Sequence, residues 1–231
     1  MIDFSLFEKK TNIVFTNKKL LEQAFIHRSY INENSGERLS HNERLEFLGD
    51  AVLELVVTDY LYNKYPDRDE GDLTAYRSAL VNAVIIGEVA SELDMNDYLL
   101  LSKGEAKDSG RARSYILANT YEAYVGAVYL DQGYDVVQKF IARTLFGKID
   151  MIVAKKLWRD AKSLIQEKAQ ENLGVTPSYK VLHEAGPDHD KHFTIGVFFA
   201  DDRIAEGKGK SKQEAEQAAA RAALEAKGWL D

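Results

Sequence analysis

His41-Asn42-Glu43-Arg44-Leu45-Glu46-Phe47-Leu48-Gly49-Asp50-Ala51-Val52-Leu53 decides how the first half of the chain folds. Its apolar residues recur at spacings of three and four, the signature of an amphipathic helix. On a helix each residue turns by ~100°, so Glu43, Glu46 and Asp50, at i, i+3 and i+7, share one face. Leu45, Leu48, Val52 and Val56 lie opposite and can be buried. Three acids on one stripe repel one another, and no lysine or arginine stands at a helical spacing that neutralises all three. Solvent exposure answers that repulsion at modest cost. So does a divalent cation, because Mg²⁺ prefers carboxylate oxygens and keeps several waters.

Asn119 and Glu122 repeat the pattern on a second helix, with Gly126 on the same face, where it removes bulk. Leu117, Tyr121, Tyr124 and Val128 form the opposing apolar stripe. Metal-assisted cleavage of a phosphodiester needs oxygen ligands converging from at least two elements, and two such helices packed side by side would supply them. Glu70, read as part of the turn before Leu73, adds an acid at the rim or serves as a simple turn residue.

Around these stretches, helical periodicity extends over Leu20–Ile31, Leu45–Tyr62, Leu73–Leu93, Ile116–Leu130 and Val136–Val153, none of which contains proline. Pro66 to Gly71 punctuates the second and third of them, and Ser102–Ser114 is expected as a loop. The pattern changes after about Lys156. Ala161–Asn172 is expected as a helix, Ser178–His183, Phe193–Ala200 and Arg203–Gly207 as strands, and Ser211–Lys227 as a final helix. Turns fall at Gly186-Pro187-Asp188 and Asp201-Asp202. The expected fold class is α+β in two domains: an all-α domain over residues 1–153, a link at 154–159, and an α-β-β-β-α domain over 160–229.

The net charge of −7 argues against coating nucleic acid by bulk charge, while leaving room for a local basic patch or an acidic pocket that fills with metal. The absence of cysteine excludes disulfides and thiolate metal sites. The start of the chain has no basic segment leading into an apolar run, and no stretch approaches the ~20 apolar residues of a membrane span. A cytoplasmic protein with no membrane partner is therefore expected. In the second half, Lys208, Lys210 and Lys212 surround Gly209 and the capping residue Ser211 at a helix start, an arrangement that attracts phosphate when the flanking fold supports it.

Asn42-Glu43-Arg44-Leu45-Glu46-Phe47-Leu48-Gly49-Asp50 resembles the signature of bacterial ribonuclease III. Leu80-Val81-Asn82, Lys103-Gly104-Glu105, Ser109-Gly110, Ile116-Leu117-Ala118 and Gly126-Ala127-Val128-Tyr129-Leu130-Asp131 follow in that family's order, and the resemblance covers essentially the whole chain. It implies an endonuclease that cuts double-stranded RNA as a homodimer, using Mg²⁺ with Mn²⁺ as a substitute. Staggered ends with 5′-phosphates and 3′-hydroxyls result. The expected substrates are ribosomal-RNA precursors, structured messenger RNA and transfer-RNA precursors. By the same resemblance Glu46, Asp50, Asn119 and Glu122 bind the metal, Asp50 and Glu122 take the most direct catalytic roles, and Glu43 and Glu70 line the same valley. Residues 160–227 resemble a double-stranded-RNA-binding domain, a class that reads shape across roughly 16 base pairs. That match implies that Ser163, Gln166, Glu167 and Gln170 face 2′-hydroxyls and that His189 reaches the next minor groove. Lys208, Lys210, Ser211 and Lys212 then meet phosphates.

Two departures stand out. The family's usual residue at 119 is aspartate, and Asn119 offers an oxygen without a charge, which keeps open an RNA-binding protein that does not cut. Asp94 stands where a helix-ending glycine is usual, a position aspartate can fill at modest cost.

Overall fold

The computed structural model describes residues 2–34, 39–107, 110–154, 158, 160–187 and 191–229. The chain divides into two compact units, Met1–Trp158 and Arg159–Asp231.

The first unit is helical: α1 Ser5–Thr11, α2 Lys18–Ala24, α3 Arg28–Glu33, α4 Glu43–Lys64, α5 Glu70–Leu80, α6 Ala83–Glu92, α7 Arg111–Gln132, α8 Tyr134–Leu145 and α9 Gly147–Ala154. Helices α4 and α7, of 22 residues each, form its axis. Val52, Leu53, Val56 and Val57 of α4, with Leu117, Tyr121, Tyr124, Val125 and Val128 of α7, belong to one buried core. The approach of the two helices is set by glycine. A Cβ on Gly49 would lie 1.7 Å from the Glu122 carbonyl oxygen, and one on Gly126 would lie 2.2 Å from that of Leu45. Backbone therefore meets backbone, which only residues without a side chain permit.

Several expected helices are broken, each for a visible reason. Leu20–Ile31 is not one helix. Phe25 and Ile26 are buried, and their segment pairs with Leu100: the Leu100 N–H donates to the Phe25 carbonyl (2.9 Å) and the His27 N–H to the Leu100 carbonyl (3.1 Å). Leu73–Leu93 is interrupted at Asn82, whose side-chain oxygen accepts from the N–H groups of Val84 and Ile85 and starts α6 afresh. Val136–Val153 divides at Phe146, whose ring stacks on Tyr60 at 3.6 Å. The Ser102–Ser114 loop contains a 3-10 turn at Glu105–Lys107, and α7 already begins at Arg111. Glu70 opens α5 instead of lying in a turn, with Asp69 as the cap. Among the described residues no single helix is long and apolar enough to cross a membrane.

The second unit runs α10 Ala161–Leu173, β1 Pro177–Ala185, β2 His192–Phe199, β3 Asp202–Gly209 and α11 Lys212–Lys227. This is the expected α-β-β-β-α order. The strands form an antiparallel sheet in sequence order. Ile165 and Ala169 of α10, Val197 and Phe199 of β2, and Ala219, Ala220, Ala223 and Leu224 of α11 make its core. The alanines let α11 lie close to the sheet; a Cβ on Gly207 would come within 2.1 Å of the Ala219 nitrogen. Ala200, expected at the end of a strand, instead turns the chain between β2 and β3 with φ +52°.

Candidate active site and nucleic-acid interface

Because α4 and α7 touch at Gly49 and Gly126, the acids flanking those glycines are carried toward one another. Glu46 and Asp50 stand on either side of Gly49, and Glu122 lies one turn before Gly126. Burial pushes the Glu122 carboxyl up to about 7, with Asp50 and then Glu46 adding to the rise. Burial likewise raises Glu46, helped by Glu43 and Asp50. Three carboxylates from two helices thus share one field in a partly desolvated place.

Asn119 is exposed on α7 one turn before Glu122, on the same side of the helix. Glu43, the first residue of α4, faces the Arg28 guanidinium at 3.6 Å and the His41 ring at 3.7 Å. Glu70 opens α5. It lines a cavity of about 440 Å³ with Thr58, Leu61, Tyr62, Leu73 and Arg77, and it is not among the charges acting on Glu46 or Glu122.

The donor set suits a hard divalent ion: carboxylates and an amide oxygen, half open to water. Among the described residues no three His, Asp or Glu side chains are drawn to one point as a finished cage.

Two features of this site carry little signal in the sequence. Gly49 falls inside the acidic motif, where a glycine between two acids on a helix signals a close backbone approach without naming its partner. Asn42 is 2 % exposed and starts α4 without a side-chain cap; its amide donates instead to the Ala24 carbonyl (3.1 Å). The Asn42 N–H donates to the Ile26 carbonyl (2.9 Å) and the Gln23 side chain to the His41 carbonyl (3.1 Å). These bonds fix where α4 begins and hence where Glu46 sits.

In the second unit, Ser163, Gln166, Glu167 and Gln170 are exposed along one side of α10. Lys208 is exposed near the end of β3, and Lys210 and Lys212 are exposed around the start of α11. Ser211 caps that helix, its hydroxyl accepting from the Glu214 N–H (3.2 Å). Lys212 Nζ sits over the Phe193 ring, 5.8 Å from its centre. His189 lies outside the described residues.

Comparison with known proteins gives a consistent picture. The Ribonuclease-III-like family matches residues 17–149, and the Double-stranded RNA binding motif matches residues 161–227. Ribonuclease 3 of Protochlamydia amoebophila is 48 % identical over 217 residues, covering 94 % of this chain and 89 % of that protein. Ribonuclease 3 of Geobacillus thermodenitrificans is 46 % identical over 222 residues, covering 96 % and 90 %. A solved nuclease domain of ribonuclease III from Campylobacter jejuni superposes with a TM-score of 0.57 at 36 % identity, covering 62 % of this chain and 95 % of that one.

Proposed function

This chain belongs to the ribonuclease III family of endoribonucleases, and from that premise we propose that it hydrolyses phosphodiester bonds in double-stranded RNA at the α4–α7 crossing. The observation that carries the reading is the backbone contact at Gly49 and Gly126, which gathers Glu46, Asp50 and Glu122 from two helices. Those three acids and Asn119 would hold Mg²⁺, or Mn²⁺ in its place, with Asp50 and Glu122 taking the most direct catalytic roles. The bound ion supplies a water acidic enough to attack phosphorus and positive charge for the phosphate oxygens. The chain's own share is positioning. The crossing fixes Asp50 and Glu122 relative to one another, and the Asn42 bonds fix Glu46 along the helix axis. Burial and the neighbouring Asp50 and Glu46 hold the Glu122 proton up to about pH 7, and a bound cation would favour the ionised carboxylate. Breakage of the P–O3′ bond leaves a 5′-phosphate and a 3′-hydroxyl.

Staggered double-strand cuts need two sites, and a homodimer with one site per subunit provides them. Phe47, Leu55 and Tyr62 lie on one stripe of α4 and are 82 %, 58 % and 71 % exposed. Beside that stripe is the apolar-walled cavity lined by Leu61, Tyr62 and Leu73. An exposed apolar stripe next to a cavity suits a second copy of the same surface. The domain limits follow as 1–153, a link at 154–159, and 160–229. In the second domain Ser163, Gln166, Glu167, Gln170 and His189 meet minor grooves, and Lys208, Lys210, Ser211 and Lys212 the phosphates between them. The setting is the cytoplasm and the substrates are ribosomal-, messenger- and transfer-RNA precursors with duplex segments.

Single substitutions Asp50→Asn and Glu122→Gln test the site. Each is expected to abolish cutting of a duplex RNA in Mg²⁺ while leaving the gel shift in Ca²⁺ intact; a variant that still cuts at the parent rate removes its residue from the mechanism. Asn119 favours a second reading, a protein that holds duplex RNA without cutting it. Binding in Ca²⁺ with no products at any Mg²⁺ concentration selects that one.

A further inference from the structure

The lysine run at the start of α11 contains an acid held inside it. Glu214 Oε2 accepts from the Lys210 backbone N–H at 2.9 Å, and the Glu214 N–H donates to Ser211 Oγ at 3.2 Å. The pair resembles a capping box, except that the glutamate reaches past the cap to the N–H of Lys210, the residue before Ser211. The glutamate is fixed there by the neighbouring strand. A Cβ on Gly209 would lie 2.8 Å from the Glu214 Cβ and 2.5 Å from the Ala215 nitrogen, so β3 ends flat against this turn. The carboxylate therefore occupies the backbone N–H of Lys210, the central residue of the Lys208–Lys212 run in sequence.

We infer that Glu214 is an internal competitor for the RNA phosphate at this patch, lowering the affinity of the second domain for duplex RNA while stabilising its fold. The inference rests on the phosphate-holding role proposed above for Lys208, Lys210 and Lys212. One carboxylate fixed on the backbone of this lysine run cancels part of the run's attraction, and a phosphate that approaches must displace it or bind beside a like charge. The two effects of the residue have opposite signs. As a cap it favours the folded domain; as an anion it opposes the ligand. A residue that only capped would, on removal, weaken binding or leave it unchanged.

Glu214→Gln separates these effects, because glutamine keeps the oxygen that accepts from Lys210 and loses only the charge. The measurement is the affinity of the full chain for a labelled RNA duplex in Ca²⁺ across a salt series. The expected result is about 5-fold tighter binding at low salt, the size of one like charge removed at contact range in water. The salt dependence becomes steeper as well, as one more phosphate is neutralised. Glu214→Ala is expected to unfold at a lower temperature and still bind more tightly than the parent. Equal or weaker binding by Glu214→Gln overturns the inference. A Lys210→Ala/Lys212→Ala variant, measured in parallel, tells the two failures apart. If that variant loses affinity and Glu214→Gln gains none, only the competitor role falls. If it binds as the parent does, the phosphate-holding role falls, and the competitor role with it.

Discussion

The crossing of α4 and α7 and the lysine-bearing turn before α11 both rest on glycines that admit backbone where a side chain would stand, yet they manage charge in opposite ways. At Gly49 and Gly126 the contact forces like charges together, and burial raises the pKa of Glu122 to about 7. At Gly207 and Gly209 the contact presses α11 against β3 and leaves lysines exposed around a glutamate that tempers them. In the first region the acids raise one another's pKa; in the second the carboxylate is tied to the backbone between lysines of the sequence.

The sharpest way to break this contrast is to fill the glycines. Gly49→Ala sets a methyl 1.7 Å from the Glu122 carbonyl oxygen, so the helices must separate. Thermal unfolding is expected to show a loss of about 3 kcal/mol, and cutting to fall by about 100-fold, while binding in Ca²⁺ persists. Gly207→Ala should do the reverse, weakening RNA binding first. If both substitutions depress binding and cutting alike, the two regions do not have separate roles.

Next in size is the cost of the buried acid. Glu122 holds its proton more tightly folded than unfolded, so its contribution to stability falls as the pH climbs from 4.5, its ordinary value, to about 7. Metal-free Glu122→Gln is therefore expected to be more stable than the parent at pH 8, by about 2 kcal/mol after allowing for partial exposure. The two proteins should converge below about pH 4.5. Denaturant titrations at pH 4 and 8 check this, and a parent that is the more stable at pH 8 contradicts it.

On the other side, Lys210→Ala/Lys212→Ala is expected to lower duplex affinity by about 10-fold and to flatten the salt slope by about 2. A loss independent of salt would mean that the lysines act through folding. The smallest effect sharpens the catalytic half: Asn119→Asp adds one charge beside Glu122 and should lower the Mg²⁺ midpoint for cutting by about fivefold. An unchanged midpoint would remove residue 119 from the metal's surroundings.

Much of the molecule is legible in its sequence, because periodicity and spacing are local. The acid stripe on α4, the Asn119–Glu122 pair and the α-β-β-β-α order stand where their patterns put them. What the sequence hides depends on partners far along the chain. Phe25 to His27 leave the helix because Leu100 takes their backbone bonds. Asn42 turns its amide back to Ala24, although an asparagine at a helix start usually caps forward. Helix α1 spans only seven residues, too few for a periodic signal. Glu70 joins the other acids by resemblance, whereas in the single chain it faces the cavity beside Tyr62.

We propose that two acid-bearing helices, held at backbone contact, form a metal-dependent site for cutting duplex RNA. The most direct test of this incubates the purified chain with an end-labelled RNA hairpin of about two helical turns, the length a binding domain of this class spans, in Mg²⁺, in Ca²⁺ and in EDTA. Discrete products with staggered ends are expected in Mg²⁺ alone, with a gel shift and no products in Ca²⁺. Cutting that persists in EDTA, or a hairpin left whole across the full Mg²⁺ range, would contradict the claim.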